Sequence, residues 1–155
     1  MDTPLRVITF NLKRDLPFFR SHRWAQRREI AAELCRRSKA DLIGVQELMP
    51  DMRRDLEELL AGEYAIAGFG RFYGTRHTNE DEHSDILVRL ERAELRYCKT
   101  FWLSNRPEQY GSRGLLAAYP RICTVAEIRL RDSGRCIRVF NTHFDHISGP
   151  ARNLA

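Results

Sequence analysis

Residues 39–48 read KADLIGVQEL. From Ala40 to Val45 only Asp41 interrupts an apolar run that does not alternate. A strand of that kind is covered on both faces, the environment of a central strand in a layered α/β domain. It closes on Gln46 and Glu47, polar residues at the carboxyl end of a buried strand. In α/β sheets loops converge at such ends while the strands hold position, so functional residues collect there.

Upstream, LRVITFNL (5–12) alternates apolar and polar residues and reads as a second strand, ending at Asn11. Between the two, Trp24 to Arg37 sets Arg27, Ile30, Ala31, Leu34 and Cys35 at helical spacing, which predicts one stripe turned to the core. Downstream, Pro50 and Asp51 open another helix with Met52, Leu56, Leu59 and Leu60 on one face and Gly62 as its stop. Tyr64 to Ala67 reads as a short strand, and 68–83 as a polar loop carrying Glu80, Asp81 and Glu82.

Strands follow at 85–89 and 94–103, the second bent or split, and then a long loop over 104–120. A structureless loop of that length in a compact domain is usually functional. Residues 122–131 and 135–142 form a hairpin across Asp132, Ser133 and Gly134. In its returning strand Ile137, Val139, Asn141 and His143 share one face. Strand, helix, strand, helix and then mainly antiparallel strands describe a single layered α/β domain over 1–155.

Composition narrows the class of protein. The 43% hydrophobic and 30% charged residues are ordinary for a globular domain. No apolar run approaches membrane-spanning length, and MDTPLRVITF lacks the basic start and apolar core of a signal peptide. The reading is a cytoplasmic protein without a membrane partner. Cys35, Cys98, Cys123 and Cys136 lie far apart with no paired spacing, as buried small hydrophobes in a reducing compartment do. A net charge of +5 admits a polyanionic partner, but only three of the 26 basic residues are Lys, and an Arg bias of that kind often reflects genome composition.

Three polar residues close apolar strands: Asn11, Glu47 and His143. A carboxylate there is costly unless a positive group meets it, and a divalent cation is one such group. Mg²⁺ takes one or two protein carboxylates and leaves its other positions to water and phosphate. Each residue alone also has a local reading: a turn-forming amide for Asn11, a solvated acid before the helix at Pro50 for Glu47, a structural histidine for His143. Glu82 alone would be a solvated loop charge.

Taken together, TFNL (9–12), DLIGVQE (41–47), EHSDIL (82–87), FWLS (101–104), PRICT (120–124) and NTHFDH (141–146) resemble, in order, the motifs of the endonuclease/exonuclease/phosphatase superfamily. The resemblance implies a four-layer α/β sandwich, two mixed sheets face to face with helices outside. It implies a metal-dependent phosphoester or phosphodiester hydrolase, a nuclease or phosphatase, using Mg²⁺ or Mn²⁺ on a phosphorylated substrate, nucleic acid among the candidates. Carried over residue by residue, Glu47 matches the metal-ligating glutamate and Asn11 the amide that helps hold metal and phosphate. His143 matches the histidine that contacts the scissile phosphate, and Glu82 the acid that orients it, at about 3 Å or through water. Arg121 is a candidate phosphate contact against a structural salt bridge, and Asn141 and Asp145 of NTHFDH join it as candidates.

The same family carries two later motifs, Gly-Asp-x-Asn and Ser-Asp-His, that do not occur in this sequence. Residues 148–155, SGPARNLA, read as the start of a helix with Pro150 in its first turn. The expectation is therefore a C-terminally incomplete domain. Its isolated chain is expected to be inactive and to bind Mg²⁺ weakly. The alternative is a non-catalytic fragment that binds metal or phosphate at most, or that needs a complementing chain.

Overall fold

A computed structural model describes residues 4–16, 21–77 and 80–154. The elements run β1 (Val7–Asn11), α1 (Trp24–Ser38), β2 (Leu42–Gln46), α2 (Pro50–Leu59), β3 (Tyr64–Ala67), β4 (Ile86–Arg89), β5 (Ala93–Trp102), β6 (Ile122–Leu130), β7 (Cys136–Thr142) and α3 (Gly149–Leu154). The first sheet has the order β1-β2-β4-β3, with β1 parallel to β2 and the remaining pairs antiparallel. The second is an antiparallel meander, β5-β6-β7. The parallel pair is joined through α1, as a parallel connection requires.

The apolar run of β2 is buried on both sides, as its sequence predicts. Ile43 and Val45, with Leu87 of β4, face the helices and pack with Trp24, Ala31, Ala32, Cys35, Met52 and Leu56. Leu42, with Ile86 and Val88, faces the second sheet and meets Ala93, Ala126 and Ile128. Helices, first sheet and second sheet make three layers of the expected sandwich. On the far face of the second sheet Tyr97 and Phe140 remain 53% and 61% exposed.

Gly44 lets the two sheets approach: a Cβ there would stand 2.9 Å from Asn141 Oδ1. The Asn141 amide donates to the carbonyls of Val45 and Asp85, both at 2.8 Å, and its oxygen accepts from Gln46 Nε2 at 2.8 Å. This buried polar stitch fixes the register of one sheet over the other, and leaving any member unpaired would be costly.

Two expectations change. Along α1, Ile30 and Leu34 are exposed (61% and 50%), whereas Trp24, Ala31, Ala32 and Cys35 are buried. Arg27 sets the rotation of the helix by donating to the carbonyls of His22, Leu12 and Lys13, and Trp24 Nε1 bonds Asp55 at 2.8 Å. The small residues then face the sheet, and Ile30 and Leu34 fall outside. Cys136 is exposed because it lies on the open face of the meander, and Cys98, opposite Ala126 on the covered face, is half-buried. The expected bend in β5 is a register shift between Leu95 and Tyr97, a β-bulge. The tail forms α3 with Pro150 in its first turn.

Candidate active site

Glu47 follows β2 directly and has φ +56°, a left-handed conformation that a non-glycine residue adopts at a cost. Its carboxylate repays that strain with two hydrogen bonds: Asn11 Nδ2 donates to Oε1 at 2.9 Å and the Arg14 N–H to Oε2 at 2.8 Å. Asn11 Oδ1 accepts the Lys13 N–H at 2.8 Å, so the turn after β1 is built around this amide. Burial pushes the Glu47 carboxyl up, but the bonds from Asn11 and Arg14 outweigh it and hold the group below the usual glutamate range. Parallel pairing of Asn11 with Gln46 places these two strand ends side by side.

Glu82 is buried (7% exposed) although it lies in a polar loop. An isolated bridge between Leu48 and His83 pins that loop beside the end of β2. Glu82 faces three cationic or ionisable groups: Arg71 Nη1 at 3.5 Å, His143 Nδ1 at 3.7 Å and Arg14 Nη1 at 3.9 Å. The separation from His143 is that of a loose ion pair, longer than the expected hydrogen bond. His143 Nδ1 is buried with no hydrogen-bond partner.

The candidate phosphate contacts stand differently. Arg121 is buried, with Nε 3.5 Å from Asp145, Nη1 donating to the His143 carbonyl at 3.4 Å and Nη2 3.1 Å from His146 Nδ1. Asp145 accepts the N–H groups of Ile147 and Ser148 at 2.8 Å and of Ala118 at 3.2 Å. Those backbone bonds, led by Ser148, overcome burial and hold its carboxyl down at about 2. Asn141 is committed to the inter-sheet stitch. All three brace the segment that carries His143, and their polar atoms are already engaged by protein groups.

Sequence reasoning missed Arg14 and Arg71, which complete the ring of charge around Glu82. It also missed Gln46, which bonds Asn141, and the buried knot in which Asp85 pairs with Arg53 (2.8 Å) and His83 (3.2 Å). Among the described residues no three His, Cys, Asp or Glu side chains stand together as a ready metal site. One carboxylate with an adjacent amide nevertheless suits Mg²⁺, which leaves most of its positions to water and phosphate.

An endonuclease/exonuclease/phosphatase from Bacteroides vulgatus superposes over 99% of the chain at a TM-score of 0.91 and 30% identity. The chain has the fold of the endonuclease/exonuclease/phosphatase proteins. A mannosyl-6-phosphatase of Bacteroides thetaiotaomicron matches over 97% of the chain at a TM-score of 0.89 and 32% identity. The human Nocturnin catalytic domain with bound sulfate shares the fold, at 0.67 and 16% identity over 96% of the chain. The chain spans 57%, 55% and 55% of the length of these three family structures, respectively. No protein-family profile matches the sequence, and no curated protein matches it.

Proposed function

We propose that this chain carries the metal- and phosphate-binding part of a divalent-metal-dependent phosphoester hydrolase, with a sugar phosphate as substrate. The observation that carries the reading is the convergence of two carboxylates at one end of the first sheet. One, Glu47, is held ionised and partly open; the other, Glu82, is buried against His143 and two arginines. The sugar phosphate follows from the mannosyl-6-phosphatase, a relative at 32% identity. A structure of D. rerio TDP2 complexed with single-strand DNA product shares the fold at only 14% identity.

Glu47, with Asn11 beside it, would hold Mg²⁺ or Mn²⁺. When bound, the ion supplies positive charge to the phosphate oxygens and lowers the pKa of coordinated water. The residues of the chain do the rest. Asn11 and the Arg14 N–H orient the Glu47 carboxylate, so it needs no reorganisation when substrate arrives. His143 turns Nδ1 toward Glu82 and leaves its other ring nitrogen to a non-bridging phosphate oxygen. Glu82 fixes the ring plane of His143.

The test is a phosphatase assay with Mg²⁺ or Mn²⁺ on a hexose 6-phosphate, beside single-stranded RNA and DNA. Release of phosphate from the sugar, abolished by both Glu47→Ala and His143→Ala, is the expected result for an active chain. A second reading is favoured by the single carboxylate at the metal position: the chain binds metal or phosphate without turnover, or needs a complementing chain. Calorimetry would then show millimolar-scale Mg²⁺ binding lost in Glu47→Ala, with no phosphate released. Turnover that survives Glu47→Ala would overturn the placement of the site.

A further inference from the structure

Three arginines surround the candidate site, and their surroundings differ. Arg71 is 4% exposed; its Nε donates to the Glu80 carbonyl at 3.2 Å and its guanidinium lies over the Tyr119 ring at 4.9 Å. Arg121 is 5% exposed and is held by Asp145, the His143 carbonyl and His146. Neither can turn toward a ligand without breaking buried contacts. The Arg14 side chain, in contrast, is 41% exposed, and its guanidinium is 3.9 Å from Glu82. Its main chain is fixed at the centre of the site through the bond from its N–H to Glu47.

Charge balance says what this arrangement lacks. Glu82 already has the buried Arg71 at 3.5 Å and His143 at 3.7 Å, so it does not depend on Arg14 for neutralisation. Burial above all presses the Arg71 pKa down; Glu82 opposes this, while the nearby charges of Arg121 and Arg14 add to it. An anion held by the exposed Arg14 side chain would offset the repulsion between these cations. A guanidinium is suited to that anion because its planar fork meets two phosphate oxygens at once, which an ammonium cannot do.

We infer that Arg14 is the phosphate-binding arginine of this site, exchanging its loose contact with Glu82 for two oxygens of the substrate's phosphate. The inference rests on the hydrolase reading and adds to it the residue that selects a phosphate dianion. Glu82 keeps Arg71 and His143 after the exchange, so no buried carboxylate is left alone. Arg14 is then a sensor of the phosphate and not of the group that carries it.

The experiment measures inorganic phosphate binding to the purified chain by calorimetry, with and without Mn²⁺, in wild type, Arg14→Ala, Arg14→Lys and Arg138→Ala. Loss of a bidentate charged contact should weaken phosphate binding about tenfold or more in Arg14→Ala. Arg14→Lys should recover part of that loss, since it restores charge but not the fork. Arg138, an exposed residue of β7 paired with Glu127, controls for net charge and should change nothing. Mn²⁺ affinity, measured without phosphate, should be the same in wild type and Arg14→Ala because the Arg14 N–H to Glu47 survives. Equal phosphate affinity in wild type and Arg14→Ala, or equal losses in Arg14→Ala and Arg138→Ala, overturns the inference and leaves the hydrolase reading standing. A wild-type chain that binds neither phosphate nor Mn²⁺ overturns both.

Discussion

The two sheets are built to different rules. The first is enclosed: β2 and β4 send alternate side chains into the helices and into the second sheet, and Leu42, Ile43, Ile86 and Leu87 are all fully buried. The second is half-enclosed: Ala126 and Ile128 face inward, while Tyr97 and Phe140 face water. Stability is therefore concentrated in the first sheet, and the candidate site sits where its strands end. The second sheet contributes His143 and the asparagine that locks the layers together. What the contrast teaches is that an enclosed sheet can hold a strained, charged residue such as Glu47, because its packing over-determines the backbone.

Substitutions on the two sheets can break this contrast or sharpen it. The largest effect is expected from Leu87→Ala, which opens a cavity between the first sheet and the helices and should cost about 3 kcal/mol in urea-induced unfolding. Next comes Asn141→Ala, which leaves Gln46 and two buried carbonyls short of partners. It should cost about 2 kcal/mol and loosen one sheet over the other, seen as faster amide exchange in β6 and β7.

Asp145 should then show itself in acid. Its folded pKa of about 2 is depressed, so it stabilises the fold above the usual aspartate value, and that contribution is lost as pH falls from about 4 to 2. Asp145→Asn should lower stability at neutral pH and flatten the decline over that window. An unchanged profile would mean that the bonds to Ile147 and Ser148 do not hold in solution.

The smallest effect should come from Phe140→Ser on the open face, within about 0.5 kcal/mol. If it costs as much as Leu87→Ala, something covers that face in solution and the two sheets are equally enclosed.

Much of the fold was legible from pattern. The unbroken run of β2, the Pro50 start of α2 and the hairpin across 132–134 all follow from local physics, and each stands where it was expected; α2 ends at Leu59, before the expected stop at Gly62. α1 was placed correctly along the chain but not in rotation. Its apolar residues span too wide an arc to choose a face, and Arg27 and Trp24 made the choice through contacts distant in sequence. At the site, Asn11 and Glu47 were readable as polar ends of apolar strands, and structure puts them 2.9 Å apart. Arg14 was not readable, for one arginine among 23 carries no mark until its neighbours are known.

The sequence by itself determined which segments are strands and helices, and which strands end in polar residues, because these depend on periodicity and turn chemistry within a few residues. Only tertiary structure decided that Glu82, which the family resemblance set beside His143, is buried there with Arg71, and that Asn141 and Asp145 are engaged by backbone groups. Those outcomes depend on desolvation and on which hydrogen-bond partners arrive first. The partners of Asn141 come from Val45 and Asp85, more than fifty residues away in the chain. No local pattern encodes such meetings; the packing of two sheets across Gly44 produces them.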